Sequence, residues 1–482
     1  MTEHKLLFFR GMATSTVANV LGMVASLVTV MIAARVVTKE QLGAYFLILV
    51  VVQIGATLGD IGMRNTVIQV LASVNAPERT NVARYLQTIN LSASIVAACV
   101  IVGLLPTMMQ IWPYDDFRRD VWLAAPATFA AINFQMACSI LVGARKFGRL
   151  AAVNGGAEIV RAGLSILCLL SGMGIAGMIY SLIVSRLLGI IVTWWSVPSQ
   201  FGISFRHARG RELLGFGGWL YGSSVVSVLT MRSADVLLTS LMGPAALAIY
   251  NAAMQLPVTL QRLFEGVRPL VLGYVATQSK SGSLQLVTQL RLVSGALALA
   301  AAVILAGSQW LMTVLYSQAY IDGLNVMRGL SVWAVISIVN YFLAVSLIGQ
   351  GRARAAFLIS LPQMVMALIA IVLLVPQFGA IGACAALVVT SLAGCLLTCR
   401  ANAGADCVLF GALCAAVMRA VGPICLMFLC LVFVSDRALF VVMLLVGTIA
   451  LLFGVRAITP SEFGDLVVLI SRRRRALLQS GK

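Results

Sequence analysis

The stretch MATSTVANVLGMVASLVTVMIAA at residues 12–34, followed by RVVTKEQLG at 35–43 and AYFLILVVVQIGATLG at 44–59, decides the fold. Met12 to Ala34 carries no charged side chain. At about 1.5 Å of helix per residue it is long enough to cross a hydrocarbon core about 30 Å thick. The polar elbow Arg35 to Gly43 breaks the run, and Ala44 to Gly59 starts back across, ending in Gly59-Asp60-Ile61-Gly62-Met63-Arg64-Asn65. Charges flanked by glycine at the end of an apolar helix need an explanation.

The rest of the chain repeats this plan. Of 482 residues, 61% are hydrophobic and 10% charged, with a mean hydropathy of +1.00. A soluble globular protein has about a quarter of its residues charged, so the chain reads as a polytopic membrane protein. The net charge of +18 does not point to nucleic acid, because the Lys and Arg residues lie in short clusters between apolar spans rather than on one face. Lys5 and Arg10 ahead of an apolar run resemble the start of a signal peptide, but the run is too long and further spans follow at once, so cleavage is not expected. Of ten cysteines, Cys99, Cys138, Cys168, Cys384, Cys395, Cys425 and Cys430 lie inside apolar runs. With no C-x-x-C pair and two histidines, His4 and His207, they read as small apolar packers. Neither a zinc site, a disulfide framework nor a cofactor is expected.

Further apolar runs lie around 86–105, 121–141, 150–171, 175–195, 213–233 and 236–256, then 290–312, 326–348, 356–375, 381–399, 415–434 and 438–455. With the first two they predict an all-α protein of about fourteen transmembrane helices. If the N-terminus is cytoplasmic, the even-numbered connections carry Arg79 and Arg84, then Arg145, Lys146 and Arg149, then Arg206, Arg209 and Arg211, then Arg352 and Arg354. The odd connections are poorer in cations and include Asp115, Asp116, Asp120 and Asp322. The positive-inside rule therefore expects both termini in the cytoplasm. Arg472, Arg473, Arg474 and Arg475 close the chain there and read as an anchor on anionic lipid headgroups.

An internal repeat is visible. Leu42-Gly43-Ala44-Tyr45 matches Leu247-Ala248-Ile249-Tyr250, and Gly174-Ile175-Ala176-Gly177 matches Gly379-Ala380-Ile381-Gly382, both at an offset of 205 (250 − 45 and 379 − 174). One offset shared by separated anchors argues for duplication of a six-span unit. An even number of spans gives both copies one orientation. The expected organisation is a lobe at 1–205 with helices 1–6, a lobe at 206–405 with helices 7–12, and two further helices with a basic tail at 406–482. Gly172-Met173-Gly174-Ile175-Ala176-Gly177 satisfies G-x-G-x-x-G, yet no strand precedes it and its counterpart serves the same turn, so it reads as a tight external hairpin. No Walker sequence is present.

A charge at mid-bilayer costs a few kcal/mol or more, so ionisable residues within spans face a partner or a watery cavity. Glu158 and Arg161 are spaced i,i+3 in the fifth span, and Arg186 stands in the sixth without an acid nearby in its own helix. Asp60 and Arg64 are i,i+4 at the end of the second span; Arg232 and Asp235 are i,i+3 between the seventh and eighth; Arg262, Glu265 and Arg268 continue that spacing. One reading is that these are self-satisfied pairs or residues reaching to headgroups. The other is that cavity arginines hold an anionic headgroup, while a carboxylate among Asp60, Glu158, Asp235 and Glu265 takes up a proton or ion. Arginine suits phosphate because its planar fork offers two parallel donors, and Arg186 is the leading candidate. A hydrolytic pair of carboxylates is disfavoured, because no nucleophile or metal set accompanies them.

Ala34-Arg35-Val36-Val37-Thr38-Lys39-Glu40-Gln41-Leu42-Gly43-Ala44-Tyr45 followed by Gly59-Asp60-Ile61-Gly62 resembles the opening of the Wzx-type polysaccharide flippases of the multidrug/oligosaccharidyl-lipid/polysaccharide exporter superfamily. Asp235, Gly243, Tyr250 and Pro269 resemble the start of that family's second lobe, and Val375-Pro376-Gln377-Phe378-Gly379-Ala380-Ile381-Gly382 its late hairpin. The resemblance implies two six-helix lobes in a V that move an undecaprenyl-diphosphate-linked oligosaccharide across the bacterial inner membrane by alternating access. It implies a diphosphate held on cavity arginines, with Arg35, Arg161, Arg186 and Arg232 as candidates, and a lipid tail left in the bilayer. Membrane lipids and the polysaccharide polymerase or export machinery would be its partners. The sequence departs from the pattern in having Ala248 where the first lobe has Gly43. Two alternatives stand beside it: a cation-coupled multidrug or metabolite antiporter of the same superfamily, and an integral membrane glycan polymerase or glycosyltransferase. Surplus arginines and the extra pair of spans count against the first. The short external connection around 106–120 counts against the second.

Overall fold

The computed structural model describes residues 3–73, 76–144, 146–204, 218–265, 300–350, 352–403, 413–415 and 417–418. These residues form α1 (Glu3–Val36), α2 (Lys39–Gly59), α3 (Met63–Ser73), α4 (Ala76–Ile111), α5 (Asp115–Asp120), α6 (Ala124–Gly143), α7 (Phe147–Leu170) and α8 (Gly174–Ser196). They continue with α9 (Gly218–Met242), α10 (Pro244–Glu265), α11 (Ser308–Tyr316), α12 (Leu324–Gly349) and α13 (Ala353–Ala403). Among the described residues eight helices are long and apolar enough to cross a membrane, so the chain is a multi-pass membrane protein. The runs expected at 415–434 and 438–455 lie outside the described residues, apart from the short helical turns at their margin.

Local chemistry sets the helix ends. At the elbow Thr38 and Gln41 form a capping box, with the Gln41 amide donating to Thr38 Oγ1 at 3.2 Å and the Thr38 amide to Gln41 Oε1 at 3.3 Å. The exit of α2 turns through Ile61 (φ 45°) and Gly62 (φ 75°), which accounts for Gly62, whereas Gly59 lets α2 approach Ile132, 2.6 Å from where its Cβ would be. One expected boundary moves. The seventh and eighth runs were expected to break between 233 and 236, whereas α9 continues to Met242 and turns at Gly243 (φ 85°) before Pro244. Glycine takes the left-handed turn, and proline at the first helical position has no amide to leave unbonded. Arg232 and Asp235 therefore lie inside a helix. They mimic a polar connection in the sequence because their charges cancel only in three dimensions.

α13 is two helical limbs. Gly379 (φ 59°, ψ −133°) interrupts it, and a Cβ placed on Gly394 would sit 2.6 Å from the Gln363 amide nitrogen. A straight helix would hold residues 31 apart (394 − 363) about 46 Å from each other, so the limbs lie side by side as the hairpin expected at 376–382.

Burial separates central from peripheral helices. The most apolar windows of Lys39–Gly59 and Gln318–Ile348 are 67% and 72% buried, those of Arg79–Ile111 and Arg354–Ala403 only 22% and 17%. The latter present Val96, Val100, Val102, Leu104, Ile369, Val372 and Leu373 outward, as lipid-facing helices do. α1 packs along α7 and α9 along α13, while α2 packs on α6 and α10 on α12; α2 also lies against α9 and α10. The offset of 205 recurs in these positions. α2 and α10 start at Lys39 and Pro244, Tyr45 and Tyr250 are both buried, and Gly174 and Gly379 have φ of 60° and 59°. Thr193 donates to the Gly189 carbonyl at 2.8 Å as Thr398 does to that of Gly394 at 2.7 Å.

At the elbow end the two halves touch. A Cβ on Gly43 would overlap the Pro244 carbonyl, so this glycine is needed where α2 crosses the start of α10. Ala248, at the repeat-related position, is fully buried, and its methyl is accommodated. Trp112 donates to Ser240 Oγ at 3.0 Å and Tyr114 to the Thr239 carbonyl at 3.1 Å beside this crossing. Overpacking a tight contact costs about 1–3 kcal/mol. Gly43→Val is therefore expected to lower the thermal midpoint of the detergent-solubilised protein by several degrees. Gly163→Ala, where a Cβ meets nothing within 4 Å, is expected to leave it unchanged; fluorescence-detected size-exclusion chromatography after heating distinguishes the two.

Candidate functional site

α7 carries Glu158 and Arg161 one turn apart, and α8 brings Arg186 to the same carboxylate. Arg161 Nε and Nη2 each lie 2.9 Å from Glu158 Oε2, and Arg186 Nη2 lies 2.6 Å from Oε1. Each carboxylate oxygen thus serves a different guanidinium. Side-chain exposures are 10% for Arg161, 18% for Arg186 and 22% for Glu158, so the acid is the most open member. Three further helices close on the cluster. From α6 the Phe134 ring lies under the Arg186 guanidinium, 4.5 Å from centroid to carbon. From α2 the buried Tyr45 hydroxyl lies beside Arg161. From α1, a Cβ on Gly22 would lie 3.1 Å from that of Glu158. Two guanidinium groups and one carboxylate leave one positive charge in excess.

Arg186, which has no acid in its own helix, is therefore paired across to the neighbouring one. Phe134 and Tyr45 were not among the candidates. For Tyr45 a signal existed, since its repeat partner Tyr250 also lies beside an intramembrane ion pair. For Phe134 there was none, as a phenylalanine in an apolar run carries no mark of its neighbours.

The second cluster is neutral. Arg232 Nη1 lies 2.6 Å from Asp235 Oδ2 within α9, with side-chain exposures of 16% and 1%. Asn251 of α10 donates to Asp235 Oδ1 at 3.2 Å. Among the described residues, the Tyr250 hydroxyl and Arg232 Nε beside them are buried with no hydrogen-bond partner.

The remaining candidates lie elsewhere. Arg35, exposed at the elbow end of α1, donates to the Val314 carbonyl at 2.5 Å and does not join the triad. Asp60, just past the end of α2, accepts from the Arg64 amide at 3.2 Å; burial pushes its carboxyl up, against the opposing pull of Arg64. The Glu265 side chain and Arg472 to Arg475 lie outside the described residues. At the basic end, Lys146 and Arg149 donate to the Ser196 carbonyl at 3.3 and 2.5 Å, and Arg352 to that of Ala401 at 2.8 Å. These acceptors are again 205 apart (401 − 196), and cations there satisfy carbonyls at helix C-termini.

The family model described as "Polysaccharide biosynthesis protein" matches residues 32–322. Over 232 residues the chain is 25% identical to the succinoglycan biosynthesis transport protein ExoT of Rhizobium meliloti (strain 1021), covering 47% of this chain and 45% of that protein. The match thus spans about half the length of that relative. The fold is similar to that of the lipid II flippase MurJ in an inward closed conformation, with a TM-score of 0.70 at 12% identity over 95% of this chain and 100% of that one. It is also similar to an outward-facing multidrug resistance MATE family transporter of the MOP superfamily, with a TM-score of 0.60 at 14% identity over 86% of this chain and 96% of that one.

The two kinds of ion pair make different demands on stability. Removing one partner of a buried pair strands the other and costs about 3–5 kcal/mol, whereas an exposed pair contributes about 0–1 kcal/mol. Asp235→Ala strands Arg232, while Asp116 meets the 59%-exposed Arg119 at 3.7 Å. Asp235→Ala is expected to cause a large loss of folded protein in the membrane and Asp116→Ala almost none, read by quantitative immunoblot and thermal midpoint.

Proposed function

Because the chain belongs to the polysaccharide biosynthesis protein family, we propose that it is a Wzx-type flippase that moves a lipid-linked oligosaccharide across the bacterial inner membrane. The observation that carries this reading is the net-positive cluster of Glu158, Arg161 and Arg186, set within the helices of a fold shared with a lipid flippase. Guanidinium forks match phosphate oxygens, so the diphosphate of an undecaprenyl-diphosphate-linked repeat unit is the proposed ligand. The lipid tail would remain among the outward-facing apolar side chains of the peripheral helices.

In this reading the repeat supplies two lobes, helices 1–6 within residues 1–205 and 7–12 within 206–405, followed by two helices and a basic tail. Lys146, Arg149 and Arg352 mark the cytoplasmic end, and the elbow end, where Gly43 meets Pro244, faces the periplasm. Alternating access would exchange that contact for one at the opposite end. The neutral Arg232–Asp235 pair is assigned a structural role, with Asp60 and Glu158 left as the carboxylates for ion or proton coupling. A polysaccharide polymerase or exporter would take over the product.

Leaflet-specific labelling of the lipid-linked oligosaccharide in cells carrying Arg186→Ala and Arg186→Lys tests the reading. Arg186→Ala is expected to hold the oligosaccharide on the cytoplasmic leaflet with the protein still in the membrane. Arg186→Lys, which keeps the charge and loses the fork, is expected to recover export in part. Normal export by both variants would remove Arg186 from the mechanism.

A further inference from the structure

We propose that Glu158 is the resident occupant of the anion site: its carboxylate holds Arg161 and Arg186 in the place of a phosphate group, and an incoming diphosphate binds by displacing it. This rests on the reading of the arginine cluster as the site for the substrate's diphosphate.

The hydrogen-bonding inventory supports displacement. Nε and Nη2 of Arg161, the two parallel donors a phosphate would use, both bond to Glu158 Oε2, and Arg186 Nη2 bonds to Oε1. A diphosphate cannot take these donors while the carboxylate keeps them. The members of the cluster are also held unequally. Arg161 lies beside the Tyr45 hydroxyl of α2, and Arg186 lies against the Phe134 ring of α6, so each guanidinium keeps a neighbour if the acid leaves. Among the described residues, the Glu158 carboxylate is paired with the two arginines themselves. The acid is also the most exposed of the three. The two cations thus keep contacts of their own, and the carboxylate end of Glu158 is the part whose departure leaves them in place.

Charge points the same way. With Glu158 in place the cluster carries one excess positive charge; two arginines, the carboxylate and a doubly charged diphosphate together would carry one excess negative charge in a poorly solvated place. Moving the carboxylate away relieves that repulsion.

The repeat shows that the device is built once. Adding 205 to 158, 161 and 186 gives Gln363, Met366 and Ser391, an uncharged set. It also shows that glutamine is tolerated at this point of the packing, which makes Glu158→Gln the variant of choice. A resident competitor lowers apparent affinity by the fraction of sites it occupies. For a transporter that is useful, because the same carboxylate that hinders binding drives release after the reorientation.

The test is binding of inorganic pyrophosphate to the full-length protein in lipid nanodiscs, measured by calorimetry for the unaltered protein, E158Q and R186A. Removing the competitor is expected to tighten binding about tenfold or more, with R186A weakening it by a similar factor. Unchanged or weaker binding by E158Q, with R186A still weaker, overturns the resident-occupant role and leaves the anion site standing. Unchanged binding by R186A overturns the anion site and the proposal with it. If E158Q does not accumulate, Glu158→Asp keeps the charge on a shorter stem that cannot reach both arginines. Tighter pyrophosphate binding by that variant supports the proposal, and unchanged or weaker binding overturns it.

Discussion

Charge inside a hydrocarbon slab must be answered by opposite charge or by hydrogen bonds, and the arrangement of these helices depends on that constraint. Glu158 illustrates its reach. One carboxylate joins α7 to α8 through two guanidinium groups, and those groups recruit α2 through Tyr45 and α6 through Phe134. Lipid tails are as apolar as leucine, so helices in a membrane gain little by hiding apolar surface from them. Close packing at small residues and polar contacts then decide which helices adjoin. Gly43 against Pro244 and Gly22 against Glu158 supply the first kind, and the two ion clusters the second.

Duplication explains how such an arrangement is specified economically. The same packing relation appears twice at an offset of 205, with α1 on α7 and α9 on α13, then α2 on α6 and α10 on α12. The turns are conformational necessities in both copies: Gly174 and Gly379 share a left-handed φ that a side chain would strain. Even the cations at the basic end bind carbonyls at repeat-related residues, Ser196 and Ala401.

Much of this was legible in the sequence, for reasons that differ residue by residue. Run length and the absence of charge in Met12 to Ala34 are one-dimensional properties, and so is a repeat offset. The hairpins at Gly172 and Gly379 follow from glycine's conformational freedom. The turn at Gly243 was misplaced because charges interrupt the apolar run at Arg232 and Asp235, although their i,i+3 spacing already fits one helix and pairs them at 2.6 Å. Arg186 looked unneutralised because its partner lies 28 residues away (186 − 158) on another helix. Spacing reveals partners within a helix and is blind to partners between helices. The same blindness grouped Arg35 with Arg161, although one sits at the elbow end on the Val314 carbonyl and the other beneath Tyr45.

The two halves part company in charge. A perfect duplicate would place equal sites on both sides of its axis, and a ligand with one diphosphate would then have two equivalent places to bind. Gln363, Met366 and Ser391 put uncharged residues at the repeat-related positions, beside a hydrogen bond from Thr398 to Asn340. The second half instead carries Arg232 and Asp235 on its first helix, balanced to zero and backed by Asn251. Among the described residues, a scaffold that repeats thus carries a charge pattern that does not, with a net-positive cluster on α7 and α8 and a balanced pair on α9. The asymmetry within the repeat therefore distinguishes the two halves in charge, while the repeat itself keeps their packing alike.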